Sequence, residues 1–551
     1  MLHAAGPLLS IDVREREYRT EPINDVLETF VGGRGVAVKL AHKRTPFDVD
    51  PLGPENRLFL TSGPMQYSQM SFTGRMNITS VSPLTDGLVS TNAGGFLSRN
   101  FVGAGYSAVE ITGQSDELVA VHVTDDGVKF EEVPELERAR VSEVTEEMND
   151  RHGLESEHLA TIGPAGEHRV RFAAVMTSDS RAFGRGGMGA VLGAKNVKCV
   201  SIRGESTPSV DIPEDVQSEI HRAAATSDSM MKRQGTAFAT GMINDNFSLP
   251  TRYFSEQSFE EADRISGSAV EEKKYKKGTC SACAFACKLP THDEETGFET
   301  EGPEFETVYA LGSNAGVGDL LNVMKSNDLC DDLGMDTISC GVAISAYLEA
   351  EDEFGNAELV HDLIEKIAHR EGIGDTLADG VDRFHDDLGV ENWTVKGLEF
   401  PGHDGRVVHG QGLSYAVANR GADHMYSTIL EQEYAGEIDQ HGLDGKPSIL
   451  VRRENWRAFQ DSGIICSHSA SSGEMMQSHT EQLFDADIDD LLAVGERVVE
   501  HERHFNNQRG MDRDDDTLPY EIPDFEDGLE EYYSLRGWTR DGTVPDERIS
   551  G

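Results

Sequence analysis

Arg181-Ala182-Phe-Gly184-Arg185-Gly186-Gly-Met-Gly189-Ala-Val-Leu-Gly193 is compatible with two quite different folds. Its inner part, Gly184-Arg-Gly186-Gly-Met-Gly189, matches the dinucleotide fingerprint. That fingerprint needs a strand before it and a crossover helix after it, inside a βαβ unit of about 30 residues. Only residues 190–196 separate these glycines from the next apolar strand, 197–203, which is too short a span for such a helix. A nucleotide-binding doubly wound domain is therefore set aside, and the glycines are read as turns and close backbone approaches in a β-rich region.

The sequence upstream agrees. Apolar runs at 118–123 and 128–130 flank Asp125-Asp126-Gly127, and Asp-Gly suits a hairpin turn because glycine accepts positive φ. Two further glycine-rich segments, Gly32-Gly-Arg34-Gly35 and Asn92-Ala93-Gly94-Gly95, lie in the same region. Glycines let backbone amides approach an anion, and Arg34, Arg75, Arg181 and Arg185 could fork onto phosphate. Any one of these loops is explained by turn formation alone. Three in one β-rich domain suggest a bulky phosphorylated ligand.

Downstream, residues 204–215 read as a linker, with Pro213 placed to start a helix. Leu359, Ile364 and Ile367 recur at helical spacing across Ala357–His369. Leu483, Leu491, Leu492, Val494 and Val498 suggest one further helix, and the acidic tract 512–516 reads as a solvated loop. The expected class is α+β, with a β-rich domain over 1–205 and mainly helical domains over 206–400 and 401–551. No repeat of 20–50 residues is visible.

The chain has 551 residues, with 98 Asp and Glu against 49 Lys and Arg and a formal net charge of −49. The acids are spread along the whole length, so they describe a surface rather than an interaction tail. Self-repulsion of that size is relieved where the Debye length falls to about 3 Å, near 1 M salt. Adaptation to a salty cytoplasm follows from this. Nonspecific binding to nucleic acid, which needs a basic face, is excluded. No secretion signal and no apolar run of about 20 residues is seen, so neither export nor membrane spanning is expected.

Seven cysteines, three of them clustered, suit metal-binding thiolates in a reducing compartment better than a disulfide framework. Cys280-Ser-Ala-Cys283-Ala-Phe-Ala-Cys287 brings three thiolates together on a tight turn expected to lead into a helix. A cubane iron–sulfur cluster needs four such ligands, and Cys466 is the candidate for the fourth. Zinc remains open, with His292 available as its fourth ligand. Cys199, Cys330 and Cys340 are read as buried small hydrophobes.

Several of these segments, taken in order, resemble the aldehyde ferredoxin oxidoreductases. They are Arg75, Ser82-Pro-Leu-Thr, Asn92 to Gly95, Ala104-Gly-Tyr106, Arg181 to Gly193 and the cysteine triplet. Then come Gly302-Pro-Glu304-Phe-Glu306-Thr, Asp331-Asp-Leu-Gly334-Met-Asp336, Arg420-Gly-Ala-Asp-His424, Asp461 to Cys466 and Tyr532 to Trp538. One departure stands out: the second Asp loop carries its glycine, Gly463, one position early.

The resemblance implies a tungsten (rarely molybdenum) atom held by two pterins, one [4Fe-4S] cluster, and Mg2+ bridging the pterin phosphates. Asn92 and the backbone near Ala182 would hold the Mg2+. Asp331, Asp336 and Asp461 would bond the pterin rings, and Arg75, Ala93, Gly94, Gly95, Arg181, Gly184, Arg185, Gly334 and Ile465 complete the cradle. It also implies an aldehyde substrate, a ferredoxin acceptor and a homodimer. A ferredoxin acidic like this chain would dock in a way that depends on salt screening. Glu306 and His424 map to the catalytic pair. Glu304 is a second candidate base, since two residues apart on an extended stretch would share a face. His403, His409 and His479 are read as ordinary surface or core histidines, with His468 held in reserve for its closeness to Cys466. Two other readings stay open: a relative that reduces aromatic thioesters, and a zinc-stapled binding protein without redox activity.

Overall fold

Two six-stranded sheets occupy residues 8–202, and both follow one plan. The computed structural model describes residues 1–206, 210–472 and 476–549. The first sheet holds β1 (Leu8–Asp12), β2 (Glu17–Glu21), β3 (Leu58–Thr61), β4 (Met76–Val81), β5 (Leu88–Ala93) and β6 (Ala108–Thr112). The second holds β7 (Val119–Thr124), β8 (Gly127–Glu132), β9 (Leu159–Thr161), β10 (Val175–Thr177), β11 (Arg181–Phe183) and β12 (Val197–Ile202). Their orders, β2-β1-β6-β3-β4-β5 and β8-β7-β12-β9-β10-β11, correspond strand for strand. In each sheet the first and sixth strands pair in parallel and every other neighbour is antiparallel. The duplication is invisible as a sequence repeat because each half spans about twice the window searched.

Apolar side chains of both sheets, among them Leu9, Ile78, Val109, Val121 and Val200, meet in one core. The expected hairpin is β7–β8, closed by Thr124 opposite Gly127, whose φ is +126°. The glycine-rich segment that opened the sequence reading joins a three-residue strand to the seven-residue helix Met188–Ala194. Gly187 holds φ +76°, and a Cβ there would run into the Arg171 carbonyl, so this glycine sets a tight packing contact.

The rest is mainly helical. Helix Glu214–Thr226 starts directly after Pro213, and part of the linker before it, 207–209, lies outside the described residues. Ala357–His369 is a helix as its periodicity implied, capped by Asn356 and burying Val360, Leu363, Ile364 and Ile367. The single helix expected across Leu483 to Val498 is two, Met476–Phe484 and Ile488–Gln508, because Asp487 caps the second. The tract 512–516 is also corrected. Asp516 is buried, pairs with Arg503 through both carboxylate oxygens and lies 2.6 Å from Lys396. Helices on the N-terminal side, such as Gly33–Arg44, share a core with C-terminal Lys446–Gly463, Ile488–Gln508 and Phe525–Arg536. The two ends of the chain therefore close on each other.

With a net charge of −49, unfolding should respond to screening. The thermal midpoint is expected to rise steadily with KCl until the Debye length nears about 3 Å. A midpoint that is flat or falls from 0.1 to about 1 M would contradict adaptation of this surface to salt.

Candidate active site

The cysteine triplet sits at the tip of a hairpin. Gly278 bridges Lys288 and Lys274 bridges Thr291, so residues 279–287 form a closed turn. Ala282 and Ala286, both at positive φ, bend that turn twice. No helix follows, contrary to expectation; the chain runs straight into strand Pro290–His292. Cys280, Cys283, Cys287 and Cys466 line one cavity together with Arg75 and His468. A Cβ on Gly94 would come within 2.9 Å of the Cys280 sulfur, so only glycine leaves that thiol its room. Burial pushes the Cys287 thiol up to about 12 and raises Cys283 as well, so thiolates here need a positive group beside them.

Spacing bears on which group fits. A tetrahedral zinc with Zn–S of about 2.3 Å holds its sulfurs about 3.8 Å apart. Among the described residues no three of these sulfurs come within 4.8 Å of one another. His292 packs edge-on against Tyr275 instead of facing the cavity. The four thiols therefore fit a larger group, as a cubane is, better than one zinc.

Two loops of the helical region approach the sheets in matching ways. In 331–336 the left-handed residue is Gly334, at φ +77°; in 461–466 it is Ile464, at φ +59°. Both stand three residues after an aspartate. The early glycine of the second loop thus leaves its geometry intact: Gly463 ends the helix and Ile464 makes the left-handed turn. Asp336 N–H donates to the Phe172 carbonyl at 3.1 Å, and Cys466 N–H donates to the Phe72 carbonyl at 2.8 Å. Each loop is pinned to one sheet-bearing half by the same kind of bond. Between them lie the edge strands β5 and β11, which carry Asn92 and Ala182. The Asn92 side-chain oxygen is buried there without a partner, a vacancy suited to a cation or a donor.

Arg75 donates to the Asn92 carbonyl at 3.1 Å and points toward the Cys466 sulfur at 3.9 Å, while Arg181 pairs with Glu301 at 3.2 Å. Asp331, partly buried near Arg181, has its carboxyl pushed up to about 8 by desolvation. Three of the expected ligand residues are also engaged by the protein itself. Arg34 donates to both oxygens of Glu502 at 2.8 and 2.5 Å, lies 3.5 Å from Asp461 and stacks 3.6 Å over the Tyr426 ring. Arg185 donates to Asp336 and to the carbonyls of Ala422 and Glu399, which ties three segments together. Asp336 itself caps helix Thr337–Glu351, accepting from Ile338 and Ser339 N–H, which fixes the direction of its carboxylate. The N–H of Ile465 is likewise taken by the Gln460 carbonyl.

Glu306 lies on the short helix Phe305–Val308, which passes directly into the π-helical turn Tyr309–Ser313, a distortion often found at functional sites. Because this segment is helical, Glu304 and Glu306 diverge and do not share a face. Glu304 turns toward the cysteine side, bonded to Thr236 and to Lys288 at 2.9 Å. The Oε2 atom of Glu306 accepts from Gly402 N–H at 2.8 Å. Its Oε1 is buried without a hydrogen bond, 3.5 Å from His403 Nε2 and 3.6 Å from His424 Nε2. Burial raises the Glu306 carboxyl above its ordinary value and holds His403 well below its own. The loop bearing His424 is anchored by Arg420, which donates to the Ser90 carbonyl and pairs with Asp423. His403 was not singled out by sequence reading: it stands 21 residues before His424 in Pro401-Gly-His403, and only tertiary folding joins them. His409 and His479 lie outside this trio, while His468 lines the cysteine cavity and is held down to about 4 by burial.

Comparison with known proteins agrees with this arrangement. Residues 8–204 match the family model "Aldehyde ferredoxin oxidoreductase, N-terminal domain", and 211–550 match "Aldehyde ferredoxin oxidoreductase, domains 2 & 3". The tungsten-containing aldehyde ferredoxin oxidoreductases of Pyrococcus furiosus and Thermococcus kodakarensis are each 34% identical over 98% of this chain, covering 96% and 98% of theirs. An aliphatic sulfonate oxidoreductase, WOR-like subunit, of P. furiosus is 27% identical over 99% of this chain and 96% of its own. A chain of the active-site complex BamBC of benzoyl coenzyme A reductase shares the fold, with a TM-score of 0.85 at 21% identity over 99% of this chain and 96% of that one. No described helix is long and apolar enough to cross a membrane. By full-length similarity to named members and by both family models, the chain belongs to the aldehyde ferredoxin oxidoreductase family and is an oxidoreductase of that type.

Proposed function

We propose that the protein oxidises aldehydes to carboxylic acids at a tungsten (or molybdenum) bis-pterin centre and passes the electrons through a [4Fe-4S] cluster to a ferredoxin. The observation that carries this reading is Glu306, partly buried, whose buried Oε1 lies without a hydrogen bond between two imidazoles, in a chain whose two Asp loops and four thiols converge on the sheets. Arg75, Asn92, Ala93, Gly94, Gly95, Arg181, Ala182, Gly184, Arg185, Asp331, Gly334, Asp336, Asp461 and Ile465 are the residues that would hold the pterins. The buried Asn92 oxygen and the backbone at Ala182 would take the Mg2+. Cys280, Cys283, Cys287 and Cys466 would ligate the cluster. The division at 1–205, 206–400 and 401–551, a homodimer and a salt-adapted source belong to the same reading.

The overall reaction is RCHO + H2O → RCOO⁻ + 3 H⁺ + 2 e⁻. Accepting the two electrons is the chemistry that a bound tungsten–pterin group supplies. The protein's own groups handle water, protons and developing charge. Glu306 Oε1 takes a proton from water as it adds to the carbonyl carbon, while Gly402 N–H keeps the carboxylate oriented. His424 and His403 can each present an N–H to the substrate oxygen as negative charge grows there. Burial and the neighbouring His424 both disfavour charge on His403.

Elemental analysis of anaerobically purified protein in high salt tests the reading. About one tungsten and about four irons per chain, with aldehyde-dependent dye reduction, are expected. Zinc alone, or no metal in folded protein, would overturn it. Reduction of an aromatic thioester with no aldehyde turnover would instead favour the other reaction named above.

A further inference from the structure

Lysine is scarce in this chain, 15 of 551 residues, yet four of the 15 fall in Lys273-Lys-Tyr-Lys-Lys277 and a fifth is Lys288. No Asp or Glu occurs from 273 to 288, so this stretch carries a formal charge of +5 in a protein of −49. It is also the hairpin whose tip holds Cys280, Cys283 and Cys287: Tyr275 N–H donates to the Pro290 carbonyl and Lys288 N–H to the Gly278 carbonyl. Lys273 is spent on Asp293, and Lys288 on Glu304. Among the described residues, Lys276 and Lys277 have no carboxylate within 4.0 Å, and neither has the half-buried Lys274, whose ammonium donates to the Lys232 and Arg233 carbonyls at 3.4 Å. Lys276 and Lys277 are exposed, and the Tyr275 ring between the pairs is 45% exposed, an aromatic contact suited to an interface. Acids flank the patch at Glu271, Glu272, Glu299 and Glu301 and outline it.

We propose that the 274–279 arm of this hairpin is the docking surface for a small acidic one-electron carrier. This rests on the redox reading of the four cysteines above. Lys277 is three residues from Cys280, about 10 Å along an extended chain, so a carrier seated on the lysines lies beside the thiols. The positive arm also answers the repulsion that two acidic proteins would otherwise suffer. Long-range repulsion is screened by salt, whereas contacts at the arm act at close range. The patch thus selects where the carrier lands on a surface that elsewhere repels it.

The test uses the whole protein, an acidic ferredoxin, and the triple variant Lys274→Ser, Lys276→Ser, Lys277→Ser. With ferredoxin as acceptor, kcat/KM for the variant is expected to fall about ten-fold or more, while aldehyde-dependent reduction of benzyl viologen is unchanged. In parallel, carbodiimide is expected to join ferredoxin carboxylates to Lys274, Lys276 or Lys277 of the unmodified chain, as mapped by peptide mass spectrometry. Cross-links elsewhere, or equal ferredoxin rates for variant and parent, would overturn the proposal. Cross-linking needs no turnover. Links at these lysines in protein without tungsten or aldehyde activity would sink the proposed function and leave the docking surface standing.

Discussion

Glu306→Gln is expected to lower kcat by about 10²–10⁴-fold while tungsten and iron contents stay at the parent level. The amide is close in size and keeps the bond from Gly402, so the pocket should fold unchanged. What it loses is the free oxygen that can take a proton. The pH profile gives a second readout. Burial raises the Glu306 carboxyl, and a base works only when deprotonated. The acid limb of kcat/KM should therefore lie above the ordinary glutamate range, with activity rising as pH rises through it. In Glu306→Gln that limb should vanish. Glu304→Gln is the matched control, since Glu304 faces Thr236 and Lys288 and its loss should leave the limb in place. If the two variants behave alike, or if Glu306→Gln retains most of its turnover, the base is elsewhere.

Arg34→Ala should be the most destabilising single change on the N-terminal side, costing roughly 3–5 kcal/mol. The parent guanidinium is fully buried, donates two hydrogen bonds to Glu502, lies near Asp461 and packs against Tyr426, whose ring also lies 4.3 Å from Arg420. Truncation leaves Glu502 buried with only the Asn419 amide at 3.4 Å. The loss spreads because these partners sit on separate segments: helix Gly33–Arg44, the end of Lys446–Gly463, Ile488–Gln508 and the loop of His424. Lysine should rescue little, as a point charge cannot make the paired bonds. Denaturant midpoints in high salt measure this, and a shift under about 1 kcal/mol would mean that the pair is dispensable.

Chemistry was easier to read from the sequence than geometry. The hairpin at Gly127, the helix Ala357–His369 and the buried Cys199, Cys330 and Cys340 follow from local pattern, and the structure has all of them. Where tertiary contacts decide, local reading went astray. Arg34 looked like a phosphate fork because nothing nearby in sequence shows Glu502, 468 positions away. Glu304 and Glu306 looked like neighbours because two residues apart on an extended stretch share a face, yet the chain turns helical at Phe305. Asp516 read as one of a solvated run, although Arg503 and Lys396 draw it inside. His403 could not stand out among 19 histidines until folding set it beside Glu306.

The twofold plan of the sheets has a last consequence, and it lies in where the two halves disagree. Each half pins one loop by its final N–H, but the first loop ends there in the carboxylate of Asp336 and the second in the thiol of Cys466. The carboxylate turns inward to cap a helix, and the thiol faces the cavity of the other three cysteines. A frame with duplicated parentage thereby acquires a direction: on the proposed reading, electrons leave by the flank where Cys466 joins the three thiols of the hairpin.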